Sequence, residues 1–182
     1  MISKKTTEYL KKNKIPYKLL DHKTVYTAYD AAQTMKVRLE ELMKSLMVKV
    51  DKDYYHVALP ANKNLDFALL KNAVKLMGGS VKKVEIPGEK VLTKVFKIKP
   101  GALTGFGSLH KVKVILDQDL KKVKDVVVSG GSLTQSLLIK LNDYINLEKP
   151  FVASIGKKKK FVLVVKKVRP KKKNKKTAKR RR

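Results

Sequence analysis

Between Leu42 and Leu59 the run LMKSLMVKVDKDYYHVAL alternates as paired strands do, and one lysine stands in the wrong phase. Side chains two apart share a face of a strand, so Leu46, Val48 and Val50 fall on one side and Met47 and Lys49 on the other. Asp51-Lys52-Asp53 reads as the turn, and Tyr54 to Leu59 as the returning strand. A hairpin with an apolar face must pack that face against something, which commits the chain to a sheet with a core behind it. Lys44 is in phase with the apolar set. A desolvated ammonium is unfavourable unless something anionic meets it. The plain alternative is a lysine that snorkels outward from the end of a preceding helix.

Around the hairpin, helical and extended patterns interleave. Residues 3–14 predict a short helix ending before Ile15-Pro16, and 17–20 a short strand. A polar, aromatic-bearing connection, 22–27, leads to a helix opening at Ala31-Ala32 and capped by Thr27 or Asp30. A second helix is expected over 37–43, with Leu39, Leu42 and Met43 on one face. Residues 62–66 form a cap-rich turn into a helix over 67–77, whose Leu69, Leu70, Ala73, Val74 and Met77 make an apolar stripe ended by Gly78-Gly79. A strand over 81–86 and a helix over 89–97 follow. The run PGALTGFGSLH, 100–110, is a shaped loop in which glycine lets the backbone approach something closely. Strands over 112–116 and 126–128 are joined by the charged turn 117–122, and Ser129-Gly130-Gly131-Ser132 makes a tight loop. Residues 151–155 would close the sheet and 161–168 would add a further strand. These patterns predict an α/β or α+β domain with a mixed sheet.

The 182 residues suffice for one domain with a real core, and the hydrophobic share of 43% fits a globular chain. Zero cysteines exclude a disulfide framework, thiolate metal sites and cysteine nucleophiles, and are compatible with a reducing cytoplasm. The N-terminal stretch has positive charge but no apolar core of a secretory signal, and no apolar run approaches the ~18 residues of a membrane span. The charge is lopsided, with 44 Lys+Arg against 15 Asp+Glu and a net of +29. Residues 157–182 hold 16 of the basic residues and no acid, so 1–156 carries a net of +13 by itself. Such a field attracts a polyanion, nucleic acid foremost. After Pro170 the composition is low-complexity and basic, as in segments without a packed core.

Chemistry-bearing motifs are few. His22, His56 and His110 lack metal-ligand spacing, so no metal is expected. No nucleophile elbow, Walker loop or dinucleotide fingerprint occurs, and no acid pair has the form of an acid–base couple. Gly130 and Gly131 could cradle a phosphate with their backbone N–H groups, or simply turn the chain. Any chemistry would lean on a positive charge, backbone donors and the substrate itself.

An ordered series of short pieces resembles one family. It runs His22…Thr24…Ala31-Ala32, Met43-Lys44-Ser45-Leu46, Ala58-Leu59-Pro60-Ala61, Leu65-Asp66…Leu69, Pro100-Gly101-Ala102-Leu103, Phe106-Gly107, Asp117…Leu120 and Ser129-Gly130-Gly131. The chain is similar over about residues 5 to 155 to the YbaK-type aminoacyl-tRNA deacylases, which share a fold with the editing insertion of bacterial prolyl-tRNA synthetases. The resemblance implies a pseudo-barrel of mixed strands surrounded by helices, spanning 1–156, with 157–182 as a basic extension. It implies hydrolysis of the ester joining a wrong amino acid to the terminal adenosine of a tRNA, without a cofactor. Lys44 matches the lysine of the family's K-T-L motif, with Ser45 in place of threonine. It is the expected catalytic residue, fixing the aminoacyl-adenosine end. His22, Thr24, Tyr26, Thr27, Gly101, Thr104, Gly105, Phe106, Gly107, Gly130, Gly131 and Ser132 are the expected substrate-binding residues. Ser136 stands about where some relatives have aspartate, and the proline usual near Thr104-Gly105 is absent.

The expectation is a monomeric, cytoplasmic trans-editing hydrolase of misacylated tRNA, with a synthetase or the ribosome as further partners and no membrane. Lys157, Lys158, Lys159, Lys160, Lys171, Lys172, Lys173, Arg180, Arg181 and Arg182 would contact RNA irrespective of sequence. The competing expectation is a non-catalytic RNA-binding or ribosome-associated module on the same fold. Attachment to a membrane surface by the tail is weaker, since the tail lacks an amphipathic apolar partner.

Overall fold

The computed structural model describes residues 1–24, 27–99 and 101–159. The hairpin is present in the expected register: β2 (Met43–Val50) pairs antiparallel with β3 (Asp53–Pro60), placing Lys44 opposite Leu59 and Val50 opposite Asp53. Both faces of β2 are covered. Val48 and Val50 pack with Val57, Leu59 and Ile115 under α3 (Phe67–Leu76), while Met43 points into an inner core with Ala58, Phe106, Leu116 and Val128.

This hairpin is the middle of a five-stranded mixed sheet ordered β5-β2-β3-β6-β9, in which β5 is Val84–Glu85, β6 Lys113–Asp117 and β9 Phe151–Ala153. The β3–β6 and β6–β9 pairs are parallel. A second, antiparallel sheet is ordered β1-β8-β7, from Lys18–Asp21, Gln135–Lys140 and Asp125–Ser129. The sheets meet where Leu42 bridges Val127 and the Val127 amide donates to the Glu41 carbonyl at 2.8 Å. A two-stranded piece, β4 (Lys63–Leu65) with β10 (Gly156–Lys158), lies beside the hairpin. The result is the expected mixed-sheet pseudo-barrel, and the described strands do not close into a continuous barrel.

The helices cover its surfaces. Ser3 caps α1 (Lys4–Lys12), Thr27 caps α2 (Ala28–Met35) and Asp66 caps α3, each side-chain oxygen accepting a first-turn amide. Leu10 of α1 and Tyr144 of α5 (Leu141–Glu148) are wholly buried in the inner core. Helix α2 packs Ala28, Ala31, Ala32 and Met35 over Leu20, Leu138 and Val127 of the second sheet. Between β5 and β6 lies α4 (Glu89–Phe96), which has no buried residue.

Four expectations change. The turn expected over 62–66 contains strand β4, which pairs with β10. Residues 37–43 do not form a helix: Lys36 adopts the left-handed conformation at φ 55° and stops α2, and the Leu39 and Leu42 carbonyls accept the Ala61 amide instead of continuing a helical ladder. The strand expected over 81–86 shrinks to Val84–Glu85, because the Lys82 and Lys83 amides turn to the Asp51 carboxylate. Residues 135–140, where no strand is expected, form one, and α5 follows it. The strand expected over 161–168 lies outside the described residues, as does everything after Lys159.

Candidate functional site

Lys44 sits in the second pair of β2 with β3, opposite Leu59 and two residues past the Leu42 bridge to β7. Its ammonium is part-buried and donates to the Lys63 carbonyl at 3.0 Å. Burial pulls its pKa below the ordinary lysine value, and the Lys159 charge adds to the pull. No acid lies within ion-pairing distance of Lys44 among the described residues. The cation is therefore partly desolvated and unmatched, a state that favours an anionic visitor.

The carbonyl that holds Lys44 is itself held by a buried ionic cluster. Lys63 is 5% exposed, and its ammonium meets Asp117 at 2.8 Å and Asp119 at 2.5 Å. Asp117 is fully buried, and its second oxygen accepts the Ile155 and Gly156 amides at 3.1 and 2.8 Å. Desolvation works against the Lys63 charge, but the hydrogen bonds and charges of Asp117 and Asp119 outweigh it and raise the pKa. The Lys122 and Lys63 ammoniums hold the Asp119 carboxyl down at about 2. This cluster ties β4, β6 and β10 together and fixes the backbone under Lys44.

Beside Lys44 opens a cleft of about 370 Å³ between α2, the second sheet and two loops. Ala28, Ala31, Met35, Leu42, Met43, Leu103 and Leu133 supply its apolar wall. Its polar groups come from Lys44, Ser45, His22, Thr27, Ser129, Ser132 and Ser136, and the lining includes no carboxylate among the described residues. On the sheet side, the His22 ring meets the Ser136 hydroxyl through Nε2 at 3.0 Å and the Lys23 carbonyl through Nδ1 at 3.0 Å. The Ser45 hydroxyl, in the wall, is buried and has no hydrogen-bond partner among the described residues. Gly101 lines the cleft at φ 72°, where a Cβ would be strained and would meet Leu133 at 3.0 Å.

Of the residues expected at the site, the structure brings together Lys44, His22, Thr27, Gly101 and Ser132. Thr24 is exposed and does not line the cleft, and Tyr26 lies outside the described residues. Gly105, Phe106 and Gly107 face the core. Phe106 is fully buried against Tyr9 and Tyr144, the Gly105 carbonyl accepts the Tyr144 hydroxyl at 2.8 Å, and a Cβ on Gly107 would meet Val114 at 2.6 Å. Gly130 is packed under Ile2, and its carbonyl accepts the Ser3 amide. Thr104 and Gly131 open on a neighbouring depression with Lys4, Lys97, Lys99 and His110. Lys157 and Lys158 belong to β10, and Lys157 pairs with Asp66 at 2.6 Å. The Lys159 amide donates to the Asn62 carbonyl, while Lys160, Lys171, Lys172, Lys173, Arg180, Arg181 and Arg182 lie outside the described residues.

Sequence reasoning missed Lys63 and Asp119 and noticed Ser136 only as a departure. A signal existed for Lys63, which is in phase with buried Ala61 and half-buried Leu65 just as Lys44 is in its own strand. His56 is fully buried, and burial drives its pKa down to about 4, against the upward pull of its bond to the Thr104 carbonyl. No group of three His, Cys, Asp or Glu among the described residues could hold a metal ion.

Comparison with known proteins places this geometry. A family model described as the aminoacyl-tRNA editing domain matches residues 22–147. The proline–tRNA ligase of Thermosipho melanesiensis is 29% identical over 127 residues, which are 70% of this chain and 21% of that protein, so the chain spans about a fifth of its relative's length. Among solved structures, hypothetical protein APE2540 matches with a TM-score of 0.74 and 22% identity, over 85% of this chain and 100% of that one. A candidate trans-editing enzyme for prolyl tRNA synthetase matches with a TM-score of 0.72 and 19% identity, over 86% of this chain and 99% of that one. At these identities the two structures speak to the fold.

Proposed function

The chain belongs to the aminoacyl-tRNA editing domain family, and from that premise we propose that it is a deacylase acting in trans, hydrolysing the ester between a wrong amino acid and the terminal adenosine of a tRNA. One observation carries the reading: a partly desolvated, unmatched lysine at the wall of a small cleft that has no carboxylate. Lys44 grips the phosphate or adenosine side of the aminoacyl end. The apolar wall of Met35, Leu103 and Leu133 takes the amino-acid side chain, and a volume of about 370 Å³ favours a small one.

An aminoacyl ester has a fair leaving group, and the adjacent ribose hydroxyl can assist. Holding ester and water in one geometry, with donors aimed at the developing oxyanion, then supplies much of the acceleration. The net charge of +29 raises the encounter rate with the tRNA polyanion, and residues 160–182, with 13 of the basic side chains, extend that field. The activity puts the protein in the cytoplasm, working as a monomer on misacylated tRNA, with a synthetase or the ribosome as the source of substrate. No described helix is long and apolar enough to cross a membrane.

The test is ester loss from tRNAs charged with alanine, cysteine, serine or proline. Cleavage of at least one supports a deacylase. Tight tRNA binding with no cleavage of any would instead establish the non-catalytic RNA-binding module that the charge alone would permit.

A further inference from the structure

Ester hydrolysis needs a group that takes the proton of the attacking water, and Lys44, which donates to the Lys63 carbonyl, is already assigned to holding the aminoacyl end. The cleft lining offers no carboxylate for the purpose. It does offer an imidazole whose two nitrogens are both engaged. A carbonyl oxygen can only accept, so the contact from His22 Nδ1 to the Lys23 carbonyl places the ring proton on Nδ1. In the neutral ring Nε2 then presents its lone pair, to which the Ser136 hydroxyl at 3.0 Å donates. The arrangement is a hydroxyl, a base and a third group that orients the base, the constellation that activates an attacking oxygen.

Ser136 stands on β8, and His22 follows directly on the end of β1. Leu20 of β1 lies opposite Ser136 of β8, and the His22 amide donates to the Thr134 carbonyl at 2.9 Å two residues along. His22 and Ser136 are thus diagonal neighbours on one face of the ladder. Ser136 is also opposite Ser129 of β7, and all three line the cleft that holds Lys44. Ser136 is 8% exposed, so its environment is dry enough to sharpen a hydrogen bond.

We propose that His22 is the proton acceptor of the hydrolysis and that the Ser136 hydroxyl relays the proton to it, a role that rests on the deacylase reading above. The hydroxyl oxygen of Ser136 keeps a free lone pair and accepts a water. The water oxygen bonds to the ester carbonyl carbon as its proton passes to Ser136 Oγ and the Ser136 proton passes to His22 Nε2. When the tetrahedral adduct collapses, the carbon–oxygen bond to the ribose breaks and the ribose oxygen takes the proton back along the same path. Amino acid and free tRNA leave, nothing is oxidised or reduced, and the pair returns to its starting tautomer.

Chemical rescue of the full-length protein tests the role, with whichever ester of the alanine, cysteine, serine and proline panel the wild type cleaves. His22→Ala is expected to lower kcat about 100-fold with KM nearly unchanged, and added imidazole to restore at least about tenfold of that loss. Ser136→Ala is expected to slow the reaction at least about tenfold, and Ser136→Thr, which keeps the hydroxyl, to stay within about tenfold of wild type. A His22→Ala protein at the wild-type rate, or a loss that imidazole does not reverse, overturns the role. Nitrogen-15 NMR of the side chain gives an answer independent of turnover: Nδ1 protonated, Nε2 bare, and the Nε2 resonance moved in Ser136→Ala. An Nε2–H tautomer in the wild type overturns the relay whatever the protein edits. A wild type inert toward every ester removes the deacylase reading and this role together, whereas an active wild type matched by His22→Ala removes only this role.

Discussion

Lys44 is one of 44 basic side chains, and what separates it from the others is where its charge ends. Most lysines reach water; this one stops at a backbone carbonyl beside a cleft, with no carboxylate among the described residues to answer it. Lys63, buried more deeply, is the opposite case: two carboxylates meet it, and its pKa is raised. Removing one member of a buried pair leaves the other charge stranded, so Lys63→Met is expected to destabilise the fold by about 3–5 kcal/mol, read from urea unfolding. Acid should act through two more residues. Asp119 is held at about 2, below its unfolded value near 3.8, so the unfolded chain binds more protons between those values and stability falls as pH drops through that window. His56, held at about 4 against 6.5 when unfolded, works in the same direction at higher pH, with its contribution lost between 6.5 and 4. Unfolding midpoints measured from pH 7 to pH 2 should decline in both ranges, and Asp119→Asn should flatten the lower one.

At the scale of elements, the cleft exists because α2 is started and stopped in the right places. The Thr27 hydroxyl accepts the Asp30 amide at 3.1 Å, and Lys36 ends the helix in a left-handed cap, so Ala28, Ala31 and Met35 are presented as one wall. Thr27→Ala is expected to lower stability by about 1 kcal/mol and raise KM for the aminoacyl ester as that wall frays, measured by urea unfolding and initial rates. Much of this was legible in residue order. The Thr27 cap, the hairpin register and the apolar stripe of α3 follow from period and capping chemistry, which are local. The helix expected over 37–43 failed because its Leu39 and Leu42 carbonyls are claimed by Ala61 and its Glu41 carbonyl by Val127, partners distant in sequence. Strand β10 was hidden for a similar reason: Gly156–Lys158 has no apolar alternation, and only its pairing with β4 makes it a strand. The glycines at 105, 107 and 130 looked like ligand-cradling positions, yet their missing side chains make room for Val128, Val114 and Ile2. Glycine marks close approach without saying what approaches.

Taken whole, the molecule is a basic body with the Lys44 cleft on it, and charge and cleft are separable. On the proposed reading the body supplies the chemistry and the 13 basic residues of 160–182 supply range. Ending the chain after Lys159 preserves β10 and the Lys157–Asp66 pair, so the fold should survive the truncation. The expected outcome is weaker tRNA binding with a shallower dependence of log K on log salt, and an unchanged single-turnover rate at saturating protein. Binding and salt slope unaffected by the truncation would show that the RNA contacts lie on the body. The cleft itself is tested most directly by single-turnover hydrolysis of the preferred aminoacyl-tRNA by wild type and Lys44→Ala. The account predicts a rate at least about 100-fold lower in Lys44→Ala, with the melting temperature and most of the tRNA affinity retained. Hydrolysis by Lys44→Ala at the wild-type rate would contradict it.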